Sequence, residues 1–306
     1  MSGRLAGRVA IVTGAGRGLG RAHALALAAG GAAVVVNDKG AAVDGSGTEA
    51  GPADEVVAEI KRAGGRAAAS NHDISDWAQA ASLIAFAVES FGGLDVLVNN
   101  AGILRDRSLA NLAEEEWDAV IRVHLKGHAA TTRHAMTHWR DRSKAGHAVK
   151  ASVVHTSSVA GFTGAFGQAA YSAAKIGVLA LSRVVALEGA KIGVRSNAVS
   201  PSARTRFTAG MGMPAPAPGA FDARDPANVS PLVAWLAEAD CPANAQIFQV
   251  YGSRLYVFSM PTLVHELRTD GRWTAEALDR ALDGKLLKHA TAEELLARFR
   301  PEEAGG

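Results

Sequence analysis

The residues best equipped for chemistry are Tyr171 and Lys175, in the run Tyr171-Ser172-Ala173-Ala174-Lys175. At i and i+4 they share one face of a helix. A free tyrosine titrates at about 10, too high to accept a proton at neutral pH. A neighbouring ammonium favours the phenolate and lowers that value. Ser158 lies thirteen positions before Tyr171, in the pair Ser157-Ser158 that ends an apolar run. Its hydroxyl can address the same oxygen. A phenol, an ammonium and a hydroxyl around one oxygen can move a proton on or off an alcohol. A Tyr/Lys pair alone is common on helix surfaces, so the rest of the chain must supply the context.

That context begins with Thr13-Gly14-Ala15-Gly16-Arg17-Gly18-Leu19-Gly20. Gly14, Gly18 and Gly20 follow an apolar run and open a helical pattern. Such a turn lets the backbone approach a pyrophosphate at a helix N-terminus. Arg17 and Leu19 stand inside the turn and are expected against the cofactor. Asp38 ends the next strand, where a carboxylate can accept from both ribose hydroxyls. It would repel a 2′-phosphate, so it favours NAD over NADP, although Arg17 and Lys39 are nearby cations. Asp73 and Ile74 follow the third strand. Asp73 is placed for the adenine edge, or else as a cap before a helix. Asn100, Ala101 and Gly102 follow the fourth strand and leave room for the cofactor. Together the two ends imply a hydride-transfer site.

The elements that must hold these groups alternate. Residues 9–12, 33–36, 66–70, 94–98, 152–155, 194–199 and 246–250 read as strands, several apolar on both faces as a covered parallel sheet requires. Residues 21–29, 54–62, 76–90, 114–139 and 171–188 read as helices. This predicts an α/β, Rossmann-type doubly wound parallel sheet over residues 1–258. A helical C-terminal extension is expected over 259–306, with helices at 274–282 and 291–299. Residues 205–225, rich in Ala, Gly, Pro and Met, read as a long loop, with Met211 and Met213 as candidates for an apolar substrate mouth.

The order and spacing of the glycine run, Asn99-Asn100-Ala101-Gly102, Ser158 and Tyr171-x-x-x-Lys175 resemble the short-chain dehydrogenase/reductase family over roughly residues 5–250. The resemblance implies Tyr171 as catalytic acid/base and Ser158 as the group that positions the substrate oxygen. It implies that Lys175 tunes Tyr171 and binds the nicotinamide ribose, and that a homodimer or homotetramer forms. A narrower likeness, carried by residues 34–38, 99–108, 123–127 and 230–233, is to the (3R)-hydroxyacyl-CoA dehydrogenase units of type 2 peroxisomal multifunctional enzymes. It implies NAD-dependent oxidation of a CoA thioester. Two positions depart from the general family. His124 stands where an asparagine supports the proton relay; the narrower group shares the histidine, so either its ring or its backbone carbonyl serves. Ser200-Pro201-Ser202 replaces a Pro-Gly pair, and Thr205 is expected at the cofactor amide.

Bulk properties narrow the remaining classes. A net charge of +2 with no basic block gives no nucleic-acid footprint. The lone Cys241 forms no intrachain disulfide and suits a reducing compartment. No apolar leader opens the sequence and no uncharged stretch reaches membrane-span length, so a cytoplasmic, membrane-free protein is expected. His134/His138 and His124/His128 have i, i+4 spacing but no third ligand, so no metal is expected. Trp117, Trp139, Trp235 and Trp273 are expected in the core or at interfaces. Alternatives are a hydroxysteroid or lipid-alcohol dehydrogenase, an acyl-carrier-protein reductase, and a cofactor-binding regulator without turnover.

Overall fold

The computed structural model describes residues 3–49, 51–207, 217, 219–261 and 264–286. Two compact units divide the chain, Met1–Val257 and Phe258–Gly306. The larger alternates strands and helices: β1 (Val9–Thr13), α1 (Gly18–Ala29), β2 (Ala33–Asn37), α2 (Pro52–Arg62), β3 (Arg66–Ser70), α3 (Trp77–Phe91) and β4 (Val96–Asn99). It continues with α4 (Glu114–Ile121), a π-helical turn (Arg122–Lys126), α5 (Gly127–Lys144), β5 (Ala151–Thr156), the single turn α6 (Ala160–Thr163) and α7 (Ala169–Gly189). β6 (Val194–Ser202), α8 (Ser230–Leu236), β7 (Ile247–Tyr251) and β8 (Arg254–Phe258) follow. In the second unit, α9 (Ala275–Leu282) starts at Thr274, whose side chain accepts from the Ala277 amide. The helix expected at 291–299 lies outside the described residues.

The sheet has the strand order β3-β2-β1-β4-β5-β6-β7-β8. Every paired step from β3 to β7 is parallel. β1, β2, β4 and β5 are buried along their whole length. Helices on both faces demand such strands, which explains their Val- and Ala-rich composition. One apolar cluster packs α1, α2 and α8 against one face; the other packs α3, α5 and α7 against the opposite face. Trp139 sits fully buried in the second, its indole N–H donating to the Leu94 carbonyl at 2.7 Å. Trp235 meets Phe248 edge-on, while Trp117 and Trp273 stay substantially exposed.

Strand order reverses between β1 and β4. In an open α/β sheet that reversal leaves a crevice at the carboxyl ends of the strands. The expected helix over 114–139 is present, but a π-helical turn interrupts it and its end extends to Lys144. β8 was absent from the expected strands. Its alternating burial leaves Leu255 and Val257 exposed at the sheet edge, so it lacks the continuous apolar pattern of the others. α7 is long and apolar enough by composition to cross a membrane, but here it covers β6 and carries the buried Lys175.

Candidate active site

A cleft of about 510 Å³ opens at the strand ends. Gly14, Arg17, Gly18 and Leu19 line it from the turn after β1, and Asp38 from the end of β2. Asp73 and Ile74 reach it from beyond β3; Asn100, Ala101 and Gly102 from beyond β4. His124, Ser158, Tyr171, Lys175 and Thr205 complete the set expected from sequence. Gly20 is the exception. A Cβ there would strike the Gly14 carbonyl and Asn100, so its place is in closing the turn against helix α1, away from the cleft wall.

The glycine turn is held from behind. Gly14 has φ 61 and passes so close to Ala101 that an added Cβ would lie 2.7 Å from its Cα. Only glycine meets both demands without strain. The Thr13 hydroxyl accepts from the amides of Asn100 and Ala101 at 2.9 and 3.1 Å. The Asn100 side-chain amide donates to the carbonyls of Thr13 and Gly14. The ends of β1 and β4 are therefore one unit, and the cradle is built before any ligand arrives. Asp38 accepts from the Gly16 amide through one oxygen and from the Gly40 amide through the other, each at 2.8 Å. Asp73 is ion-paired to Lys39 at 2.7 Å, and its other oxygen accepts from the amide and hydroxyl of Ser75. The cap of α3 is Asp76, so Asp73 does not perform that task.

At the other end Ser158 and Tyr171 line the cleft together, and the Ser158 hydroxyl is near enough to act on the phenol. Lys175 is 2% exposed, and its ammonium donates to the Thr156 carbonyl at 2.6 Å. Its Nζ lies 5.4 Å from the centre of the Tyr171 ring. Burial is the leading influence on both groups. Burial pushes Tyr171 up to about 12, against the opposing Ser158 hydrogen bond, and Asp106 adds to the rise. Burial also pushes Lys175 down to about 7. Desolvation disfavours the charged form of both groups. A neutral phenol beside a serine hydroxyl is a ready proton donor to a developing alkoxide.

His124 lies in the π-helical turn, an irregularity frequent at functional sites. Its ring meets Tyr171 edge-on, centroids 5.1 Å apart at 88°. Nε2 is 2.7 Å from the Ile103 carbonyl and 3.0 Å from the Ile103 amide. One proton cannot satisfy both, so the tautomer decides which contact forms. Burial first, then the charge of Lys175, hold this imidazole neutral. The ring thus supports the phenol and the segment after Gly102. An added Cβ at Gly102 would collide with the His124 ring. Gly102→Ala is expected to cost about 1–3 kcal/mol of stability through that overpacking, read by urea denaturation.

Several features behind and around the cleft escaped sequence reading. His128 and His155 are both fully buried, with Nδ1 atoms 3.4 Å apart. The loop over 40–49 walls the cleft: Leu104 donates its amide to Val43, Arg105 its Nε to Asp44, and Arg206 its guanidinium to Ala41. Glycines in that loop were the visible signal, but its partners are far away in sequence. Met211 and Met213 lie outside the described residues. Among the described residues, no group of three or more His, Cys, Asp or Glu side chains gathers as a metal site.

Residues 8–211 match the family described as short chain dehydrogenase. The chain belongs to that family. Hydroxyacyl-CoA dehydrogenase ChsB1 of Mycobacterium tuberculosis is 47% identical over 272 residues, covering 87% of this chain and 84% of that protein. Peroxisomal multifunctional enzyme type 2 of Mus musculus is 44% identical over 247 residues, 81% of this chain but 32% of that longer protein. A crystal structure of a short chain dehydrogenase from Mycobacterium avium superposes with a TM-score of 0.85 at 50% identity, covering 94% of this chain and 99% of the other. The chain is thus an oxidoreductase of CH–OH donors built on the Rossmann-like fold of this family.

Proposed function

We propose that this short chain dehydrogenase interconverts a (3R)-3-hydroxyacyl-CoA and its 3-oxoacyl-CoA with NAD. The observation that carries the proposal is one cleft that joins the glycine cradle to Ser158, Tyr171 and Lys175. Similarity to hydroxyacyl-CoA dehydrogenase ChsB1 supports the acyl-CoA class. Asp38 supports NAD, because a carboxylate lining the cleft after the second strand would repel a 2′-phosphate. The cradle fits a dinucleotide: Gly14 has φ 61 and passes too close to Ala101 for a Cβ, so the turn after β1 stays tight and open at the cleft. The bound nicotinamide supplies the hydride acceptor or donor and, when oxidised, a positive charge.

The protein's own part is proton handling and orientation. Ser158 donates to the substrate oxygen and fixes it beside Tyr171. In reduction the neutral Tyr171 phenol gives its proton to that oxygen as C–H bond formation makes it an alkoxide. In oxidation the phenolate takes the hydroxyl proton, and with Tyr171 pushed up to about 12 this direction gains from alkaline pH. Lys175, anchored on Thr156, positions the nicotinamide ribose and stands next to Tyr171 for the onward proton.

The acyl carrier is tested by comparing kcat/KM for a 3-hydroxyacyl group on CoA, on acyl carrier protein and on N-acetylcysteamine, with steroid alcohols alongside. The CoA thioester is expected to be the best substrate. Turnover confined to steroid alcohols or to the carrier-protein thioester would overturn the assignment.

A further inference from the structure

The adenosine end of the cleft carries mixed signals. Arg17 and Lys39 are cations at positions able to hold a 2′-phosphate, while Asp38 opposes one. Their pairing resolves the conflict. The Arg17 guanidinium is 2.6 Å from the carboxylate of Glu49, at the end of the loop over 40–49. The Glu49 amide donates to the Gly40 carbonyl at 2.8 Å, and Gly40 in turn donates to Asp38. The acid that faces the ribose and the acid that occupies Arg17 therefore belong to one hydrogen-bonded turn. Lys39 is tied to Asp73 at 2.7 Å. Among these five groups the carboxylates outnumber the cations by three to two.

We infer that Glu49 is a coenzyme-specificity determinant, which acts by holding Arg17 away from a 2′-phosphate and so enforces NAD over NADP. This rests on the NAD-dependent reading above. Asp38 alone leaves a guanidinium within the same cleft wall, and arginine is the side chain that suits a 2′-phosphate. Glu49 supplies the bidentate-capable partner that competes for it. The charge environment agrees: the Arg17 guanidinium holds the Glu49 carboxyl below its usual range, with Arg206 adding to the effect. Asp38 and Glu55 are further negative groups facing Arg17. A phosphate dianion arriving here meets an occupied arginine and an acidic surround.

The test is calorimetric titration of the full chain with 5′-AMP and 2′,5′-ADP, in wild type, Glu49→Gln, Arg17→Met and the double variant. Glu49→Gln is expected to tighten 2′,5′-ADP by about fivefold, the scale of one released surface ion pair, and to move 5′-AMP much less. The gain should disappear in the Arg17→Met background and shrink at high salt. The kcat/KM ratio of NADP to NAD should rise in parallel. An unchanged 2′,5′-ADP affinity with intact 5′-AMP binding would overturn the role of Glu49 alone. So would an equal gain without Arg17. Failure of the wild type to bind 5′-AMP, or its preference for 2′,5′-ADP, would overturn the NAD reading and this inference with it.

Discussion

Tyr171→Phe is expected to lower kcat by about 10³-fold in both directions while coenzyme binding stays within a few-fold of wild type. The substitution removes one oxygen. The ring that packs edge-on against His124 at 5.1 Å and beneath Lys175 at 5.4 Å remains. Loss of turnover would therefore report proton transfer, with little contribution from damage to the fold. Ser158→Ala should also lower kcat, and the double variant should lose much less than the product of the two, because both hydroxyls serve one substrate oxygen. Stopped-flow measurement of NADH formation, with NADH binding followed by fluorescence, separates these effects. Activity of Tyr171→Phe near wild type would place the proton donor elsewhere.

The second large effect concerns acid. His23, His124, His128 and His155 are all buried, and burial is the leading cause that depresses each of them. His23 falls to about 4 and His155 to about 3; His124 and His128 fall well below their usual range. In the unfolded chain each titrates near 6.5. Between pH 6.5 and about 4 the unfolded state therefore binds protons that the folded state refuses. The free energy of unfolding must fall as pH falls through that window. Four such groups give a slope on the order of 5 kcal/mol per pH unit near pH 5. That is comparable with the whole stability of a typical domain, about 5–15 kcal/mol, so unfolding is expected near pH 5. Urea denaturation at half-unit steps from pH 7.5 to 5 measures the slope. Replacing His128 and His155 with neutral, similarly sized residues should flatten it by about half. A pH-independent midpoint across this range would show that these rings are charged or hydrated in the fold.

Sequence and structure agree where the chemistry is local. The glycine turn and the Tyr171/Lys175 pair are read from spacing along one element, and helix or turn geometry brings such residues together directly. Asp38, Asp73 and Asn100 were legible because each follows a strand of recognisable composition. What escaped was set by packing between distant segments. The Arg17–Glu49 pair joins residues 32 apart through a loop without periodicity. His128 and His155 read as a helix-face residue and a strand residue, and only the packing of α5 on β5 makes them neighbours. The burial of Tyr171 and Lys175 was hidden for a related reason. The i, i+4 spacing reports proximity but not burial, and burial dominates both groups. The π-helical turn at His124 carries no sequence period of its own, so the helix containing it read as regular.

The most direct test of the proposed activity is NADH absorbance when the purified chain is mixed with NAD and each enantiomer of a 3-hydroxyacyl-CoA. Rapid NADH formation from the (3R) enantiomer, with little from the (3S) form and little reduction of NADP, is the expected result. No NADH from the (3R) enantiomer, in a preparation that binds 5′-AMP, would contradict the assignment.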